Sequence, residues 1–370
     1  MDDSAEASAL AAVAAGLERA PEFLAAWLAA APDRGDGLVR RLKLDERDRA
    51  TLALCRPPRP DRFPADIAAI GRHLGIEADE LAAGLREMVG LTALAAVAAE
   101  IRADDRAELL AAAHDHAEEQ VGIVPAVAAR LRERAAELWS DAPETTRRRA
   151  DVESAIAWVA PLAVVALPAL DGGAACDWLA ERGVRLRDGA ARRPLRGLLL
   201  AARGAGIVFL DGTLPQDERR FTVAHELGHF LLDYLEPRER VLREAPSLLE
   251  VVDGWRPPTP AERAQAILAR VPLGLHAHLL ERDVYGGAAA DVEAGEDAAS
   301  QLALELLAPW PAVLDTARLV LGDRQEPYAG LLAEVTEHLA ERFHLPPARA
   351  AVRAAAALEA LGVHRGFFER

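Results

Sequence analysis

Apolar residues recur at helical spacing through most of the first 140 residues. The pattern breaks near 32–37, at the Pro-rich stretch 56–60, around 71–75 and at Pro125. Each break carries Pro or Gly, residues that end helices by lacking a donor or by backbone freedom. A series of short helices is therefore expected over 1–140. Residues 66–81 have a helix–short turn–helix outline, which DNA-binding units share. The second segment, however, opens with Glu77, Asp79 and Glu80, where a DNA-reading helix would meet phosphates, so an ordinary αα-hairpin is the reading adopted. Composition shifts at Asp141-Ala142-Pro143-Glu144 and the arginines 147–149, and 141–154 is expected to link 1–140 to a second domain over 155–370.

Beyond this point the period changes. Residues 155–170 are almost continuously apolar but interrupted by Pro161 and Pro168, too short for a membrane span and suited to a buried core. Residues 176–182 predict a helix ended by Gly183, and 184–187 alternate like a strand. Residues 195–202 and 206–212 predict two strands joined by a Gly-containing turn. A helix follows directly. Residues 236–290, rich in Pro and Gly, read as irregular; 291–308 predict a helix stopped by Pro309 and Pro311, and 327–362 two helices parted by Leu345-Pro346-Pro347. The expected class is α+β, mostly α-helical: a helical N-terminal domain, then a small sheet with helices.

Composition narrows the possibilities. Apolar residues make up 51% of the 370, much of it alanine, while aromatics are 5%, which favours helix. A formal net charge of −16 disfavours direct nucleic-acid binding and an anionic membrane surface, both of which draw on excess Lys and Arg. The clusters 147–149 and 192–193 are short enough to be solvated faces. Cys55 and Cys176 form no disulfide or metal spacing, and the N-terminus is acidic rather than signal-like, so a cytoplasmic protein is expected.

The densest chemistry lies at 219–232, Arg-Arg-Phe-Thr-Val-Ala-His-Glu-Leu-Gly-His-Phe-Leu-Leu. Its core is H-E-x-x-H, expected by accident roughly 0.02 times in such a chain. On a helix His225 and His229 fall roughly 40° apart and can share one Zn²⁺, while Glu226 sits about 100° from His225, placed to act on water beside the metal. Val223, Ala224, Leu227, Phe230 and Leu231 complete an apolar face without the histidines. A catalytic zinc needs a third protein ligand. Glu296 is the candidate: it borders the buried face of the helix that includes Ala299, Leu302, Ala303 and Leu306, with Glu293 and Asp297 nearby.

The run Arg220–His229 resembles the signature R-F-T-x-A-H-E-L-G-H of ImmA/IrrE-type metallopeptidases. The second helix is similar to that family's E-x-x-A-N-x-F-A-x-x-L-L-M-P at Glu296, Ala299, Ala303, Leu306, Leu307 and Pro309; Ser300, Leu302 and Ala308 replace Asn, Phe and Met. The resemblance covers roughly 155–365. It implies a zincin-like metallopeptidase domain, Zn²⁺ held by His225, His229 and Glu296, and Glu226 as catalytic base. It also implies a regulatory endopeptidase whose protein substrate is a DNA-bound helix-turn-helix repressor of stress, mobile-element or phage-related genes, with 1–140 sensing a signal or recruiting that substrate.

Two departures stand out. The stretch between His229 and Glu296 is longer than is usual in the family, so 236–290 reads as an insertion, and Asp233 stands where many relatives carry another histidine. The group that would stabilise a developing oxyanion stays open among Tyr234, Tyr285, Tyr328, His276 and His278. His114 and His116, two residues apart on an expected helix, point to different faces and are read as packed or solvated. The competing reading is a DNA-binding regulator, or a toxin–antitoxin or defence component, with a structural zinc site. A structural site has no use for Glu226, and the acidic charge also weighs against it.

Overall fold

A computed structural model describes residues 3–98, 125–142, 144, 151–186, 193–269, 271–281, 290–322 and 327–364. The expectations placed on His114, His116, Tyr285, Arg192, the arginines 147–149 and half of 141–154 lie outside these residues.

The N-terminal helices follow the expected breaks: α1 (Asp3–Gly16), α2 (Leu24–Ala30), α3 (Asp36–Leu42), α4 (Glu46–Leu54), α5 (Phe63–Leu74) and α6 (Ala78–Ala98). Gly75, at φ 68°, closes α5 in the left-handed region where glycine carries no Cβ penalty, which makes α5–α6 an αα-hairpin. Of the described helices, α6 alone is long and apolar enough to cross a membrane, and it is a core helix. Its Leu81, Leu85 and Met88 join Leu24, Leu52 and Ile67 in one cluster, while Leu91, Leu94 and Val97 pack on the sheet.

The chain continues through α7 (Pro125–Asp141), α8 (Val152–Val159), β1 (Leu162–Leu167), α9 (Gly172–Glu181), β2 (Leu195–Ala202), β3 (Ala205–Asp211) and α10 (Gln216–His229). A π-helical turn, Phe230–Leu235, leads from α10 into α11 (Glu236–Glu244); α12 (Leu249–Val252), α13 (Pro260–Ala269) and β4 (His276–Glu281) come next. The helices α14 (Ala290–Leu307), α15 (Trp310–Leu321), α16 (Tyr328–Phe343) and α17 (Pro347–Ala360) complete the fold, a mostly helical α+β arrangement.

The sheet runs β1-β3-β2-β4, with β1 parallel to β3 and the other pairs antiparallel. Arg203 and Gly204, at φ 50° and 81°, make the tight β2–β3 turn, whose two positive φ values match the twist of the flanking strands. Alternation sorts the side chains between two cores. Leu199, Ala201, Val208 and Leu210 face α10, α14 and the C-terminal helices, whereas Leu198, Leu200, Ile207 and Phe209 face α6 and α9. Residues on both sides of the expected linker therefore pack on the same sheet and its helices. Trp139 of α7 donates its indole N–H to Leu306 O of α14 at 3.0 Å, and Trp158 of α8 donates to Asp79 of α6 at 2.8 Å.

Besides β1, which lies unforeseen in the apolar run 155–170, three stretches differ from expectation. Residues 184–186 form no strand: Gly183 turns left-handed at φ 82° and the Val184 N–H bonds back to Leu179 O, so these residues close α9. The described residues of the expected irregular stretch 236–290 are not irregular throughout; they supply α11, α12, α13 and the fourth strand. Pro309 and Pro311 end α14 but also start α15, where a proline in the first turn loses no hydrogen bond.

Candidate metal centre

The motif helix α10 starts after Pro215, with Asp217 and Glu218 in its first turn complementing the helix dipole. Its apolar stripe packs as expected. The polar stripe is buried as well, with His225, Glu226 and His229 only 2%, 0% and 3% exposed, because α14, β2 and His278 of β4 cover it. Helix α14 lies very close: a Cβ on Gly228 would stand 2.8 Å from the Ala299 Cα. The glycine inside the motif is thus what admits the second helix, and with it Glu296. Buried Glu305, paired with Arg353 of α17 at 2.8 Å, fixes the far end of α14.

Three donor side chains converge. His225 Nε2 and His229 Nε2 lie 3.1 Å apart, and Glu296 places Oε2 3.1 Å from the first and Oε1 3.1 Å from the second. Tetrahedral zinc bonds of about 2.0–2.1 Å put neighbouring donors roughly 3.3 Å apart, so this triangle has the size such an ion requires. The Nδ1 atoms of both imidazoles are engaged elsewhere, which leaves the Nε2 atoms for a metal. Ser300 Oγ lies 3.2 Å from His225 Nδ1, and Asp233 Oδ2 lies 2.6 Å from His229 Nδ1. Asp233 sits on the π-helical turn just beyond His229, a geometry common at functional sites. Partners of this kind set the tautomer and orientation of a ligating histidine.

Glu226 stands apart from the triangle. Its Oε2 is 2.9 Å from His278 Nδ1, while its Oε1 is buried and meets no hydrogen-bond partner. His278 comes from β4, and its Nε2 lies 2.8 Å from Glu296 Oε1. Among the described residues, the donors that cluster within 4.8 Å of one another belong to His225, His229, His278 and Glu296; Asp297 is not one of them. The sequence left His278 undecided among several groups. Its signal was the pair His276 and His278, spaced to share one face of a strand, in a segment that reads as loop. Tyr234 is committed elsewhere: its hydroxyl accepts the Gly204 N–H at 2.7 Å, and its ring stacks on His276.

The charges of the site pull in opposite directions. Burial holds the His225 imidazole below its ordinary value. Burial and the nearby His278 act on His229 in the same sense, but Asp233 and Glu296 outweigh them and raise it. Burial also opposes charge on His278, yet Glu226 and Glu296 push it up to about 10. Burial and His278 push His276 down to about 4. Asp233, half-buried, is held below the usual carboxylate range by its bond from His229, which outweighs the opposing effect of burial. Metal ligands must be deprotonated, so cation affinity here falls as pH falls.

Two imidazoles one helical turn apart, a carboxylate from the facing helix and a further carboxylate outside the donor set define a metal-dependent hydrolase type of site on a small mixed sheet. The family model Peptidase M78, described as an IrrE N-terminal-like domain, matches residues 183–250, which run from the end of α9 through β2, β3 and α10. Over this stretch the chain is accordingly similar to a metallopeptidase-type domain, and the resemblance read from the motif is borne out there. The match ends before β4 and Glu296, and the N-terminal helices lie outside it. No curated protein and no solved structure gave a match to the chain.

Proposed function

We propose that the protein is a zinc-dependent endopeptidase that hydrolyses a peptide bond in a protein substrate. The observation that carries this reading is the 3.1 Å triangle of His225, His229 and Glu296 with the unliganded carboxylate of Glu226 beside it. A purely structural site would gain nothing from that fourth group. Zinc at these three residues supplies Lewis acidity, polarising a carbonyl and easing deprotonation of water. Glu226 Oε1 accepts the proton as the water oxygen bonds to the scissile carbon. It then returns that proton to the amide nitrogen as the C–N bond breaks. Ser300 and Asp233 hold the two imidazoles in register throughout.

The substrate, in this proposal, is a helix-turn-helix repressor in a stress, mobile-element or phage-related response, and the N-terminal helices recruit it or restrain the protease. The support is the family resemblance together with the M78 match. The test incubates zinc-loaded protein with the products of neighbouring genes and compares wild type with Glu226→Gln. The variant is expected to keep zinc and to cleave about 10²–10⁴-fold more slowly, whereas His229→Ala and Glu296→Ala lose the metal. Equal cleavage by wild type and Glu226→Gln would overturn the reading. Full zinc occupancy in Glu296→Ala would remove Glu296 from the site.

A further inference from the structure

His278 sits among the metal-donor atoms, so it could be taken for a fourth ligand. Ring geometry argues otherwise. Two imidazoles that share one tetrahedral metal through Nε2 each present an edge to it, which sets their centroids roughly 5 Å apart. His225 and His229 satisfy this, at 4.7 Å and 71° between planes. His229 and His278 lie face to face instead, at 3.6 Å and 20°. Rings stacked in that way cannot both aim an edge at the same point.

What His278 does engage is the base. A general base acts as a carboxylate, which only accepts, so in that role Glu226 Oε2 receives the 2.9 Å contact as a bond donated by His278 Nδ1–H. The other oxygen, Oε1, points toward β2, where Gly197 leaves room: a Cβ there would stand 2.7 Å from Oε1. The two strands that flank Glu226 are registered on each other, with Gly197 opposite Leu280 and Leu199 opposite His278. Their pairing fixes where His278 stands relative to the space kept for Oε1.

We propose that His278 is a positioning residue for Glu226: it holds Oε2 and thereby reserves Oε1 as the oxygen that exchanges the proton. The inference rests on the peptidase reading. It makes a strand from the long segment between the two metal-binding helices part of the catalytic apparatus, so hydrolysis requires β4 in place even though β4 supplies no ligand.

The two nitrogens of His278 can be tested separately. In His278→Asn the amide nitrogen falls near the position of Nδ1 and can still reach Glu226. In His278→Gln it falls near Nε2, toward Glu296. These two variants and His278→Ala are measured for zinc affinity by competition with a chromophoric chelator, and for kcat and KM on a pool of internally quenched peptides. The expectation is unchanged zinc affinity in all three. Ala and Gln should lose about 10–100-fold in kcat with KM unaltered, and Asn should recover most of that loss.

Rescue by Gln but not Asn would place the role on Glu296 and overturn the proposal. So would loss of zinc in all three variants, which would make His278 a ligand, or full kcat in Ala. Wild type that binds zinc yet cleaves neither the peptides nor the neighbouring-gene products would instead sink the peptidase reading, and the inference with it. The two failures are therefore distinguishable.

Discussion

Replacing Gly228 by Ala tests the link between helix packing and the metal centre. Two opposing effects act on stability. Alanine in a helix interior gains about 1 kcal/mol over glycine. Against this, the new Cβ would stand 2.8 Å from Ala299 Cα and 3.0 Å from Ala299 Cβ and O. The near atoms are mostly backbone, so no side chain can swing aside, and overpacking of this kind costs about 1–3 kcal/mol. The net loss of stability is therefore small, about 0–2 kcal/mol. The effect on zinc is larger. Restoring carbon–carbon contact to about 3.5 Å moves α14 outward by about 0.7 Å, several times the roughly 0.2 Å tolerance of a metal–ligand bond. Glu296 travels with α14, while His225 and His229 stay on α10.

Zinc affinity should accordingly fall about 10–100-fold, measured by chelator competition alongside urea unfolding. Gly295→Ala is the control. It lies on the same helix, but its Cβ would come no closer than 3.8 Å to the Asp233 carboxylate. It should gain up to about 1 kcal/mol of helix stability and leave zinc binding intact. Wild-type affinity in Gly228→Ala would refute the argument that this glycine sets the helix separation the site needs.

Two further outcomes are expected. Asp233→Asn keeps the fold but removes the charge that orients His229 from 2.6 Å, and should weaken zinc about 10–100-fold in the chelator assay. His276 has its folded value pushed down to about 4. The unfolded chain thus binds the proton first, and the associated stability is present above about 6.5 and lost as pH falls toward 4, at most about 3 kcal/mol in all. Zinc-free His276→Phe, which keeps a ring against Tyr234, should lose less stability than wild type between pH 7 and 5 in urea unfolding. Equal slopes would exclude that origin.

The legible and illegible parts of this molecule differ for physical reasons. The spacing of His225, Glu226 and His229 is a local, single-helix property, and it stands in the sequence without any tertiary knowledge. Glu296 needed the resemblance, since a wheel shows that it borders the buried face of α14 but not which helix that face meets. β1 hid in the apolar run 155–170 because its residues are apolar on both faces, which leaves no alternation to betray it. β4 hid because six residues between Pro- and Gly-rich stretches carry too little pattern, and its partner β2 lies far back in the chain. The burial of the polar stripe of α10 was unreadable for the same reason: its covering elements, β2, α14 and β4, lie outside the helix, and two of them come much later. Periodicity likewise told that α6 is a helix but not that its last three turns lie on the sheet.

That last contact bears on how the protein can be taken apart. Leu91, Leu94 and Val97 at the end of α6 pack on one side of the sheet, and α7 is tied to α14 through Trp139 on the other. A chain cut between residues 98 and 125 would yield two pieces whose adhesive surfaces are this molecule's own interior. Co-expressed, the pieces should find each other and complement. A piece that starts at 125 and is expressed alone would keep α9 on that sheet face but expose to solution the part of it that α6 covers.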